Sequence, residues 1–182
     1  MWIGIAAALF ALLGASIAGC DLPPEPKLLT VVARKDLATV ETLLAQRKVD
    51  VNYRGPKTGT TALEVAVGRG NEEMTRVLSR RGADPNVKNS HGVTPLRLAS
   101  YEGRIGLVRA LLEAGAELDT ADRQFGYTPI AAAAWKGHAE VVAILAEAGA
   151  DQRLRTTTVK SLYHLALEND HVVIAKGLSK SP

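Results

Sequence analysis

One cysteine, Cys20, is the only thiol in the 182 residues, so no internal disulfide can close and the fold must hold on its core alone. Aromatic residues make up only 4% of the chain. The core must then come from many small aliphatic contacts, which suits thin helices packed closely. A strong charge of one sign is also missing: the net charge is +3, with acids and bases interleaved, too little positive field to draw nucleic acid. Gly-rich phosphate loops, Gly-x-Ser-x-Gly elbows, paired-carboxylate motifs and zinc-ligand spacings do not occur. Without them no catalytic residue, metal ligand or cofactor site is expected, and the chain does not read as an enzyme. At 47% hydrophobic and 23% charged it nevertheless has the composition of a folded protein.

Charged side chains are absent from residues 1–19, an apolar run that as a helix would reach roughly 28 Å. It ends in Ile17-Ala18-Gly19-Cys20. This ending resembles the bacterial lipobox, which implies a signal peptide over 1–19, cleavage before Cys20 and lipid on the Cys20 thiol. The n-region Met1-Trp2-Ile3-Gly4 departs from that pattern in carrying no Lys or Arg, and the other reading is an uncleaved anchor with Cys20 an ordinary apolar residue. The lipobox resemblance implies that the remainder lies in the cell envelope, lipid-anchored and facing the periplasm. Asp21, directly after the cysteine, tilts the expectation toward the inner membrane, by the retention rule of enterobacterial lipoproteins. Residues 20–26 read as the lipidated cysteine and a Pro-rich extended tether. Its six residues from Asp21 to Pro26 would reach only roughly 19 Å.

What is abundant is repetition. Thr61-Ala62-Leu63-Glu64-Val65-Ala66 returns as Thr94-Pro95-Leu96-Arg97-Leu98-Ala99, as Thr128-Pro129-Ile130-Ala131-Ala132-Ala133 and, loosely, as Ser161-Leu162-Tyr163-His164-Leu165-Ala166. Gly82-Ala83-Asp84, Gly115-Ala116-Glu117 and Gly149-Ala150-Asp151 keep the same beat. Two phrases locked in phase define a stacked unit. Within residues 94–126 a hydroxyl residue and a proline open a first helix that Gly103 ends. Ile105, Leu107, Val108, Leu111 and Leu112 then follow at helical spacing up to Gly115. A polar stretch ending at Gly126 makes a protruding loop. Neither helix can bury its apolar face alone, but a copy stacked alongside supplies the missing surface.

Period, helix-start phrase, Gly-His turn and Gly-Ala-Asp ending together resemble the ankyrin repeat. The resemblance implies an all-α solenoid of about five helix-turn-helix units with protruding loops, over residues 27–180, divided near 27–57, 58–90, 91–124, 125–157 and 158–180. The two end units are expected to act as caps. It also implies that His138, His164 and His171 serve turns, while His91 lies on a loop with no partner at ligand spacing.

Ankyrin arrays resemble one another in holding a protein on the concave side, with loop tips and the exposed ends of first helices. Carried over by position, that selects Lys57, Thr58, Thr60 and Arg69; Ser90, His91, Val93, Tyr101 and Glu102; Gln124, Phe125, Tyr127, Trp135 and Lys136; and Thr157, Thr158, Lys160, Glu168 and Asn169. Four of the chain's aromatics, Tyr101, Phe125, Tyr127 and Trp135, fall in two adjacent units of this set. With Glu102, Lys136, His91 and Arg69 they form the expected partner-binding face of units two to five; the alternative is that the four rings fill core. The expected function is a monomeric protein-binding module, an inhibitor or immunity protein for an extracytoplasmic toxin or enzyme, or else an envelope scaffold supporting a periplasmic enzyme or membrane complex.

Overall fold

The computed structural model describes residues 24–45, 49–56, 59–153, 156–157 and 160–178. Those residues form ten helices and no strand: α1 (Pro24–Ala33), α2 (Leu37–Ala45), α3 (Ala62–Gly68), α4 (Glu72–Arg80), α5 (Pro95–Tyr101), α6 (Ile105–Glu113), α7 (Pro129–Lys136), α8 (Ala139–Glu147), α9 (Leu162–Glu168) and α10 (Val172–Leu178). They pack as five hairpins. The first helices form one row, α1 through α3, α5 and α7 to α9, and α4, α6, α8 and α10 form a second row behind it. Cys20 and the leader expected over residues 1–19 lie outside the described residues, as do Lys57, Thr58 and Thr158. Among the described residues no helix is long and apolar enough to cross a membrane.

One boundary needs correcting. The extended tether expected through Pro26 gives way to helix at Pro24. The first turn of a helix has no carbonyl waiting for its N–H groups, so Pro24 and Pro26 lose nothing by lacking one.

The repeated phrase works through its hydroxyl. Thr61, Thr94, Thr128 and Ser161 each stand in extended conformation before a first helix and accept the N–H three residues on, from Glu64, Arg97, Ala131 and His164. Glu64 adds the reciprocal bond to the Thr61 N–H at 2.8 Å. The alanine that closes the phrase is fully buried in all four units: Ala66, Ala99, Ala133 and Ala166. A methyl there lets neighbouring first helices approach closely. Leu63, Leu96 and Ile130, on the side facing the next unit, are buried in turn.

The turns between paired helices explain their glycines. Gly70, Gly103 and Gly137 adopt positive φ, and a Cβ on each would run into the next unit's Arg104, His138 or His171. Two of those imidazoles also bond backward, His138 Nε2 to the Tyr101 carbonyl at 3.0 Å and His171 Nε2 to the Trp135 carbonyl at 3.2 Å. The end units use other residues: Lys35 and Asp170 hold the same turn at φ of 61° and 59°. Beyond Asp170 no further described unit crowds the turn, and after Lys35 the next unit presents Asn71, whose short side chain caps its own helix at the Met74 N–H. A side chain fits in both places.

The loops are tied by a second ladder. Asn52 accepts the Asp84 N–H at 2.8 Å, Asn86 the Glu117 N–H at 2.8 Å and Asp119 the Asp151 N–H at 3.0 Å. Each bond joins one unit to the next. Among the described residues, the last unit does not present the polar outer face expected of a cap. Tyr163 stands where Leu63, Leu96 and Ile130 are buried, and it is exposed together with Leu167, Val172 and Val173.

Candidate protein-binding face

The loops after α4, α6 and α8 bring three tight turns side by side. Their bases are closed by Asn89 N–H to the Val93 carbonyl, Asp122 N–H to the Tyr127 carbonyl and Thr156 N–H to the Lys160 carbonyl, each at 3.1 Å. Adjacent turns are stitched by Arg123 N–H to the His91 carbonyl and Thr157 N–H to the Phe125 carbonyl. Asn89 and Asp122 are 33 residues apart, whereas Val93 and Tyr127 are 34 apart, so the fourth unit's turn holds one extra residue. That longer turn carries Phe125, the most exposed aromatic of the set at 46%.

Behind the turn the four aromatics touch in series. Phe125 and Tyr127 ring centroids are 5.5 Å apart, Tyr127 and Trp135 5.9 Å, and Trp135 and Tyr101 5.8 Å in a stacked pair. The Lys136 ammonium lies over two of the rings, 4.7 Å from the Tyr101 centroid and 4.9 Å from that of Trp135. The expectation of four exposed aromatics is thereby corrected: only Phe125 is exposed. Tyr101, Tyr127 and Trp135 are half-buried, and Tyr127 and Trp135 also rest on the aliphatic core. Rows one period apart bring Tyr101 and Trp135 together on adjacent first helices, and stacking hides part of each ring. The result is neither core filler nor a set of free anchors but a pre-assembled wall with one edge open.

An ion pair supports the wall from below. Asp122, with its side chain 1% exposed, meets the Arg97 guanidinium at 2.6 Å and also accepts the Gln124 and Phe125 N–H groups at 3.0 and 2.7 Å. Arg97 in turn lies against the Tyr101 ring, 5.4 Å from its centroid, and its Nε is buried without a partner. One carboxylate therefore sets both the turn and the cation under Tyr101. Sequence reasoning passed over this pair. Its signal was Arg97 standing where the repeat phrase elsewhere has Glu64, Ala131 and His164. Burial pushes the Tyr127 phenol above its ordinary value; Lys160 and Arg97 pull it back, while Glu168 and Asp122 push it further.

The other expected site residues divide. Glu102 is exposed and bonds to the Arg104 Nε at 2.6 Å rather than to the rings. Arg69 occupies the position equivalent to Glu102 and Lys136 at the end of α3, exposed. His91 is exposed on its turn, one unit away from Phe125, and holds the neighbouring turn only through its carbonyl. Lys160 and Glu168 pair at 2.7 Å at the far side of Tyr127. Among the described residues no three His, Cys, Asp or Glu side chains converge on a metal position. The depression between α4 and α6 is lined by Arg76, Ser79, Arg80, Ala110, Glu113 and Ala114, and the Arg76–Glu113 ion pair crosses it. His138 and His171 are committed to the backbone bonds above, and His164 Nδ1 lies 2.7 Å from the Ser161 hydroxyl.

A helical solenoid whose variable residues gather on turn tips and first-helix ends is a protein-interaction module. The chain belongs to the ankyrin-repeat family: the family model for ankyrin repeats in three copies matches residues 28–122, and that for the single ankyrin repeat matches 125–157. It is similar to a putative E3 ubiquitin-protein ligase of Arabidopsis thaliana, 34% identical over 54% of this chain and 22% of that protein. It is also similar to ankyrin repeat and SOCS box protein 6 of Mus musculus, 36% identical over 50% of this chain and 22% of that protein. Protein phosphatase 1 regulatory subunit 27 of Mus musculus is 33% identical over 55% of this chain and 64% of its own length. The chain thus spans about a fifth of the first two relatives and just under two thirds of the third.

Proposed function

We propose that this protein holds another protein against the face built from the ends of α5 and α7 and the turns before α7 and α9, and that it does so without catalysing a reaction. The contiguous ring series from Phe125 to Tyr101, fixed by a buried ion pair, carries this reading. Large rings already ordered before contact lose little side-chain freedom on binding and leave an apolar surface to cover. Truncating Trp135 or Tyr127 to alanine should leave the fold intact and cost about 2 kcal/mol or more in partner binding. Unchanged affinity in both variants, measured by titration against a partner captured with the wild-type protein, would sink the reading.

The position of this face in the cell rests on Ile17-Ala18-Gly19-Cys20. We read it as a lipid anchor that keeps the domain at the envelope facing the periplasm, where it acts as an inhibitor or immunity protein. Labelled palmitate should be incorporated by the wild type and not by a Cys20→Ala variant. Equal labelling of both, or of neither, removes the anchor. A scaffold for an envelope enzyme is the alternative, and identification of the captured partner separates the two.

A further inference from the structure

We infer that the occupant of this face is an acidic segment of the partner protein, with carboxylates flanking a large apolar side chain. This deepens the reading above and rests on it.

The charges of the face do not balance internally. Three of its carboxylates are already engaged with cations: Asp122 with Arg97, Glu102 with Arg104 and Glu168 with Lys160. A fourth, Glu64, is turned back onto the Thr61 N–H. Against these stand three cations that have no carboxylate within ion-pair distance among the described residues, Arg69 at the end of α3, Arg123 on the fourth unit's turn and Lys136 at the end of α7. All three are exposed.

Lys136 is the informative one. Its ammonium is held over the Tyr101 and Trp135 rings rather than by an acid, so it is positioned while its charge remains uncompensated. A carboxylate arriving there would meet a fixed cation with a ring wall beside it. That wall runs on to Phe125, whose exposed edge offers the apolar contact. Arg123 lies on the same turn as Phe125, its side chain passing over Gly92 of the neighbouring turn. Lys136 thus stands over the Tyr101 and Trp135 end of the ring series, and Arg123 is carried by the turn that bears Phe125 at the other end. The complementary ligand is apolar in the middle and acidic at both ends. A basic or neutral segment would leave like charges facing each other or the cations desolvated without partners.

The test is selection of a displayed random-peptide library on the full-length chain. Parallel selections use Trp135→Ala, Lys136→Gln and the charge-reversed pair Lys136→Glu with Arg123→Glu, with circular dichroism confirming the fold of each. Wild type should enrich peptides with Asp or Glu on both sides of an aromatic or branched aliphatic residue. Synthetic copies should bind about tenfold more weakly to Lys136→Gln and weaken steeply with added salt. The charge-reversed pair should enrich Lys and Arg instead. Neutral or basic peptides that are lost with Trp135→Ala would overturn the acidic partner and leave the face as a protein-binding site. Peptides indifferent to Trp135→Ala, or no enrichment, would overturn both. Binding to phosphatidylglycerol vesicles that the acidic peptides displace would assign the cations to a lipid surface and overturn the proposal as well.

Discussion

Position for position, Thr60, Gly68 and Arg69 of the second unit occupy the places that Tyr127, Trp135 and Lys136 occupy in the fourth. The helices beneath are built alike: Thr61 and Thr128 cap them, and Ala66 and Ala133 are buried against the neighbouring helix. Residues that hold the stack recur from unit to unit, whereas those at the turn tips and first-helix ends differ. The second unit presents a bare helix end, the fourth a ring wall. If the ring wall is the binding face, recognition is a property of one stretch of a uniform scaffold, and the stretch can be removed or extended without rebuilding the scaffold.

The largest effect should come from the support under the wall. Asp122→Ala leaves Arg97 without its partner and frees two backbone N–H groups, a loss of about 3 kcal/mol in urea unfolding. The equivalent Asn89 also accepts two N–H groups, from His91 and Val93, but pairs with no buried cation. Asn89→Ala should cost only about 1 kcal/mol. Equal losses at the two positions would mean that the ion pair contributes nothing special to the fourth unit.

A second contrast sets the inner units against the last. Gly103→Ala forces a side chain into a left-handed turn and onto the His138 imidazole, for a loss of about 2 kcal/mol. Asp170→Gly, at the same turn with no further described unit against it, should instead gain about 0.5 kcal/mol. Thermal melts of the two variants moving in the same direction would refute the cost assigned to a side chain at this left-handed turn.

Extending the wall is the gentler experiment. A Cβ at Gly68 would meet nothing within 4 Å, and the position lies one period before Tyr101. Gly68→Tyr should stabilise α3 by about 0.5 kcal/mol and add a fifth ring, visible as increased near-ultraviolet circular dichroism. The smallest effect concerns Tyr127 itself. Its phenol ionises later in the folded protein than in the unfolded chain, so folding stability falls as pH rises from about 10, the ordinary tyrosine value, through the raised one. Absorbance titration should show one tyrosine fewer ionising in the folded state when wild type is replaced by Tyr127→Phe, with the late phase lost.

Much of the fold was legible because its causes are local and periodic. Hydroxyl caps, turn glycines and buried alanines each act within a few residues, so spacing alone located the helices. The start of α1 was not, because proline favours both an extended spacer and the first turn of a helix, and only packing decides between them. At the candidate face, register placed Tyr101 and Trp135 on adjacent helices but could not show that the rings stack and half-bury each other. Asp122 and Arg97 escaped because the pair joins a loop to a helix 25 residues away, and neither residue type repeats from unit to unit.

The glycine turns carry one further implication, for how such an array can change length. Gly103 and Gly137 are both read by a histidine from the following unit, whereas Gly70 is read by Arg104. Each junction is a lock whose key sits on the neighbour, so units are not freely interchangeable. A duplicated fourth unit would bring its own His138 to its own Gly137 and rebuild the junction without a single substitution. A duplicated second unit would bring Asn71 to Gly70 and leave that lock unfilled. Growth of this chain by internal copying is therefore easiest at the very unit that carries Phe125, Tyr127, Trp135 and Lys136.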